Sequence, residues 1–285
     1  MAEHVGSGIA GTFVAVAIGL TGAWAYQSGA RHSALSANAL TKADRRPPVV
    51  YLRSFQDDPI AAKGIALPHQ ALGFVQFTNT EEEQLARVMN QIGPFVAVGK
   101  PGERLPEIGA ARMYLKNEEW QARVLELMEK AQLVVLRAGR TEGLWWEVAT
   151  AAKTVKPEKL VFLLPYNGAQ YEAFRQRAES FLPCRLPEYR KPQIQLGSIR
   201  GILYFEPGWK AHYGELKRLK VGSFSPMARV FQFTFEPVFR QLNVRWKHPG
   251  YWHVLLLLVF PFMAAFLGLG ALGLVVKVLR LLGMD

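Results

Sequence analysis

No residue from Val254 to Val276 carries a charge, and those 23 residues at 1.5 Å each are long enough to cross a hydrocarbon core of about 30 Å. Such a run predicts a transmembrane helix. A second uncharged run, Ile9–Tyr26, lies near the other end. The preceding MAEHVGSG has no Lys or Arg to make the positive start of a signal peptide, so the run reads as a retained anchor. Its small residues Gly11, Ala15, Gly19 and Ala23 recur every four positions, a spacing that lets the second span or another copy approach closely.

The flanks set the expected orientation. Arg31, Lys42, Arg45 and Arg46 follow the first run, and Arg240, Arg245 and Lys247 precede the second, which by the positive-inside rule puts the middle of the chain in the cytoplasm and both termini outside. The expected location is an inner membrane crossed twice. Of 34 Lys and Arg and 23 Asp and Glu, only Lys277, Arg280, Glu3 and Asp285 lie beyond the runs, so the net charge of +11 resides in the central region. Basic balance raises nucleic acid as a partner, but no nucleic-acid module motif is present, and anionic lipid headgroups account for it more simply. Cys184, the single cysteine, has no internal disulfide partner and fits a reducing compartment.

Between the runs, strand and helix signals alternate. Ser33–Pro48 is a polar connector. Val49–Phe55 (VVYLRSF) is β-branched and aromatic, which predicts a strand, and Ile60–Thr78 reads as a long loop. Thr80-x-x-Glu83 has the form of a capping box ahead of Leu85, Val88, Met89 and Ile92, a helix stopped by Gly93-Pro94. Further strands are expected at Phe95–Val98, Leu133–Leu136, Lys159–Pro165 and Ile199–Phe205, with helices from Trp120 to Ala131, across Gly143–Lys153 and near Tyr171–Phe181. The expected fold is α/β: a five-stranded parallel sheet with helices on both faces.

The expected organisation is an anchor over 1–29, a linker over 30–48, the α/β domain over 49–207, a basic and aromatic juxtamembrane segment over 208–250 and a second span over 251–285. Two readings of the fourth part stay open. Its Lys, Arg and Phe residues suit a segment lying on the bilayer, and they equally suit a helix whose phenylalanines pack on the sheet.

Metal-binding spacings, Walker A, GxGxxG and GxSxG motifs are all missing from the sequence. Polar residues instead gather after successive strands. Arg53, Ser54, Asp57 and Asp58 follow the first; Gly99, Lys100, Gly102 and Glu103 follow the second; Arg140, Glu142 and Glu147 follow Leu133–Leu136. In a parallel sheet these ends share the edge where ligands bind. Arg53 or Lys100 could hold a diphosphate, and Trp145 or Trp146 could stack a base. Glu147 has an alternative reading as a solvent-facing acid favoured by a helix start.

The strand VVYLRSFQDD, with the later LVVLRAG followed by a helix holding Trp146-Glu147, resembles the TIR-like (Toll/interleukin-1 receptor-like) domains over about Val49–Tyr204. The resemblance implies a flavodoxin-like fold and self-association through the domain. It also implies an NAD hydrolase in which Glu147 acts at the nicotinamide–ribose bond and the loop after the first strand, with Arg53, Ser54 and Asp57, helps bind substrate; Gly99, Lys100, Gly102 and Trp146, read from their own chemistry, complete the expected site. NAD would then be substrate, no separate cofactor or metal is expected, and the role would be a membrane-linked defence or signalling effector. The alternative is a module that binds a nucleotide or a partner without turnover and relays the event to its spans.

Overall fold

The computed structural model describes residues 37–53, 80–99, 110–114, 120–194, 197–217 and 227–246. Ile9–Tyr26, Val254–Val276 and the loop over residues 60–78 lie outside them. Among the described residues no helix is long and apolar enough to cross a membrane.

Five strands run parallel: β1 (Val49–Leu52), β2 (Phe95–Gly99), β3 (Ala111–Tyr114), β4 (Leu133–Arg137) and β5 (Leu160–Leu164). Two more, β6 (Gly201–Glu206) and β7 (Lys210–Glu215), extend the sheet as antiparallel neighbours, giving the order β3-β2-β1-β4-β5-β6-β7. The helices are α1 (Ala37–Ala43), α2 (Glu81–Met89), α3 (Trp120–Lys130), α4 (Glu142–Thr154), α5 (Gly168–Ala178) and α6 (Met227–Gln241).

Local signals explain most of these elements. Thr80 accepts from the Glu83 N–H at 3.2 Å while Glu83 accepts from the Thr80 N–H, which closes both halves of the predicted capping box on α2. Thr141 caps α4, and Asn167 with Gln170 forms a second capping box on α5. Strands β1, β4 and β5 are buried at every residue, as expected where helices cover both faces. Side chains alternate strictly between the layers. Val50, Leu52, Val134, Leu136 and Phe162 face α3, α4 and α5, whereas Val49, Tyr51, Leu133, Val135 and Val161 face α2 and α6.

Three expectations are corrected. The strand expected at Ile199–Phe205 exists but is antiparallel to β5, because the irregular chain after α5 returns to the end of β5: the Arg200 N–H donates to the Leu164 carbonyl at 2.7 Å. A parallel strand would need a crossover to the other edge. Two strands, β3 and β7, lie where no strand is expected, and α1 is a helix within the stretch read as a polar connector. Finally, the expected boundary at residue 207 falls in the turn of the β6–β7 hairpin, and α6 belongs to the same core. Phe231, Phe235 and Phe239 recur at helical spacing and are fully buried against the sheet, while Phe233 faces outward at 42% exposure. Each buried phenylalanine contributes up to about 3 kcal/mol, and these side chains are buried in the same core as the strands, as the helix-on-sheet reading of this segment requires.

Candidate functional site

The strand order reverses between β1 and β4: successive strands run outward through β2 and β3 on one side and through β5 on the other. In open parallel sheets the crevice beyond the carboxyl ends at such a reversal is where ligands bind. Here Leu52 and Leu136 are register partners, so Arg53 and Arg137, the next residues, stand side by side on one face.

Two like charges at neighbouring buried positions would repel strongly. The first turn of α2 relieves this. Arg53 pairs with Glu82 at 3.0 Å, with both side chains 1% exposed, and Arg137 pairs with Glu81. Ser198, from the loop before β6, donates to Glu81 Oε2 through both its N–H and its hydroxyl at 2.7 Å, and its hydroxyl accepts from Arg137. Glu82 also accepts from the Ala110 N–H at 3.2 Å. Burial works against the Arg137 charge, but Tyr51 and Glu81 more than offset it and hold its pKa above the usual arginine value. The acids also sit at a helix N-terminus, where the backbone field favours them. The result is a charge-balanced network that joins β1, β4, α2 and the β5–β6 connection.

Glu147 has the opposite character. It lies three residues after Leu144 and four before Ala151, on the stripe by which α4 packs into the core, and it is only 6% exposed. That excludes the solvent-facing alternative. Among the described residues its carboxyl has neither a hydrogen bond nor an ion pair, and burial alone raises its pKa from 4.5 to about 8. The helix N-terminus does not rescue it, because that field fades beyond the first turn. The loop leading to α4 is fixed from the other side. The Tyr166 hydroxyl donates to the Gly139 carbonyl at 2.7 Å, and the Ala138 N–H donates to the Leu163 carbonyl at 2.9 Å.

The remaining predicted residues divide three ways. Trp146 is half-buried, its ring 4.8 Å from that of Trp120 at 45°, so one face is already occupied. Trp145 is core, stacked on Phe174 and Phe181 with Arg177 4.6 Å over its ring. Gly99 ends β2 in register with Tyr114 at the same sheet edge. Ser54, Asp57, Lys100 and Gly102 lie outside the described residues. Arg53 is buried against Glu82 and therefore does not present an open guanidinium to a diphosphate.

Arg137, Glu81, Glu82 and Ser198 were missed at the sequence level, although a signal existed. Two apolar strands each end in Leu-Arg (YLRS and VLRA), and a run of three glutamates opens α2. Among the described residues no cluster of His, Cys, Asp and Glu could hold a metal ion.

Fold and site together define an α/β protein with a mostly parallel, doubly covered sheet and, on the helix after β4, a buried carboxyl that has no partner among the described residues. No protein-family model, curated protein or solved structure matches this chain.

Proposed function

We propose that the central region is a TIR-like domain that hydrolyses NAD at the nicotinamide–ribose bond, with Glu147 as the acting carboxylate. The observation that carries this reading is the burial of Glu147, without any partner among the described residues, on the helix that follows β4. A carboxyl kept in such a place destabilises the fold, and perturbed groups of this kind concentrate at sites of chemistry.

In the reaction, the C–N bond breaks with its electron pair leaving on nicotinamide, and positive charge develops on the ribose. A fixed anion stabilises that charge, as carboxylates do in glycoside cleavage. Water adds to the ribose carbon and releases one proton, giving ADP-ribose and neutral nicotinamide. The pyridinium of the substrate would itself favour the ionised form of Glu147. Trp146 offers its remaining ring face to a base, and the neutral Arg–Glu network holds α2 and β4 in place on the opposite face of the sheet.

One observation favours the second reading, binding without turnover: Arg53, expected at the diphosphate, is engaged by Glu82. Nicotinamide release from NAD by the full-length chain, beside Glu147→Gln, separates the two. Hydrolysis predicts a loss of about 10²-fold or more in the variant. Equal release from both proteins, or none from either, refutes the enzymatic reading. NAD binding without release supports the relay. The native rate should rise with pH up to about 8, where Glu147 becomes ionised.

A further inference from the structure

The first turns of α4 meet the start of α3 through two tryptophan rings. Trp120, the first residue of α3, and Trp146 have ring centres 4.8 Å apart and planes inclined at 45°, and both side chains are half-buried. Rings inclined in this way diverge, so each keeps part of its face uncovered by the other.

Gly143 opens the α4 side of this pair. It is exposed, and a β-carbon there would meet, outside its own helix and among the described residues, only Cη2 of Trp120, at 4.0 Å. Glu147 lies four residues on and therefore on the same face of the helix. Helical side chains lean toward the helix N-terminus, so a side chain at 147 lies over the turn that holds Gly143. A bulky residue at 143 would stand between that carboxyl and solvent. The glycine instead leaves a notch, with Trp120 and Trp146 as its walls and the buried Glu147 carboxyl one turn in.

The cations around the notch are committed elsewhere. Arg123 and Lys130 of α3 pair with Glu126, and Arg177 of α5 pairs with Glu142. A carboxylate beside two indole faces favours one chemical class of ligand. The ring faces attract positive charge, the carboxylate supplies the counter-charge, and the flat walls suit a flat apolar body. An inorganic cation would need several oxygen or nitrogen ligands, and among the described residues no such cluster exists.

We propose that Gly143, Trp120, Trp146 and Glu147 form a seat for a planar organic cation of the pyridinium class, and that this seat selects its ligand by charge. The proposal rests on the reading of Glu147 given above and deepens it by naming the end of the substrate that meets the carboxylate. Trp120 and Gly143 are the residues it adds.

The probes are the ring-N-methylated nicotinamide cation and nicotinamide, its neutral counterpart. Each is titrated calorimetrically into the full-length chain at pH 8.5, above the value of about 8 at which Glu147 ionises. The cation should bind at least about 10-fold more tightly than the neutral ring. Glu147→Gln, which keeps the shape of the side chain, should erase that preference. Gly143→Leu fills the notch and should abolish binding of the cation, whereas Gly143→Ala should retain it, because its methyl makes only an ordinary contact with Trp120. Leucine and alanine both favour a helix over glycine, so neither change endangers the fold. Equal affinity for the two compounds, binding of neither, a preference that survives Glu147→Gln, or binding undiminished by Gly143→Leu would overturn the proposal. Nicotinamide release from NAD is scored separately. A chain that prefers the cation yet releases none keeps the seat and loses the hydrolase reading; one that releases nicotinamide without preferring the cation keeps the hydrolase reading and loses the seat.

Discussion

Replacing Glu147 by Gln should make the protein more stable at neutral pH, and by an amount that grows with pH. In the fold the carboxyl holds its proton up to about 8, whereas in the unfolded chain it ionises near 4.5. The folded state therefore binds the extra proton between these values. Stability is fullest below 4.5, falls by about 1.4 kcal/mol per pH unit through the window and levels off above about 8. At pH 7 the accumulated penalty is about 3 kcal/mol, and by pH 8.5 it is about 4–5 kcal/mol. Gln copies the shape and neutrality of the protonated acid but does not titrate. Its advantage should be under about 1 kcal/mol at pH 5 and approach the full value at pH 8. For a domain of this size the difference at pH 7 corresponds to a Tm gap on the order of 10 °C. Thermal unfolding of the full-length chain, followed by tryptophan fluorescence from pH 5 to 8.5, measures it directly. A wild-type Tm that tracks the variant at every pH would refute the buried placement of Glu147.

Other perturbations probe the rest of the framework. Arg137→Met strands Glu81 in the core and should cost about 3–5 kcal/mol in denaturant unfolding, while the double change Arg137→Met with Glu81→Leu should recover most of it, because the paired charges gain little over a well-packed apolar pair. Gly93→Ala places a methyl against the Pro47 carbonyl oxygen, a backbone atom that cannot swing aside, and should lower the Tm through a loss of about 1–3 kcal/mol. Thr80→Ala removes the cap on α2 and should cost about 1 kcal/mol in the same unfolding assay, with no loss of secondary structure by circular dichroism.

How legible the molecule was depended on the range of the interaction behind each feature. Apolar strands such as Leu133–Arg137 and Leu160–Leu164 announce themselves, since burial on both faces demands uninterrupted hydrophobic residues. Caps are equally local, and Thr80, Thr141 and Asn167 were readable within four residues. β3 is short and reads ARMY, and β7 reads KAHYGE with an exposed lysine at its start, so neither edge strand carries an apolar run that announces it. The phenylalanines of α6 held their answer in plain spacing, because 231, 235 and 239 fall on one face and 233 does not.

The candidate site was legible as a choice of residue and not as an environment. Sequence by itself determined most of the buried strands and the helices between them, the capping box at Thr80, that Glu147 follows a buried strand, and that Leu52 and Leu136 are each followed by arginine, because propensity, periodicity and capping act over one or two turns. Tertiary structure alone decided that Arg53 and Arg137 are neighbours neutralised by Glu81 and Glu82, that β6 runs backwards, and that Glu147 is buried. Register, crossover and desolvation depend on which distant surfaces meet, and no spacing along the chain encodes the water that their meeting removes.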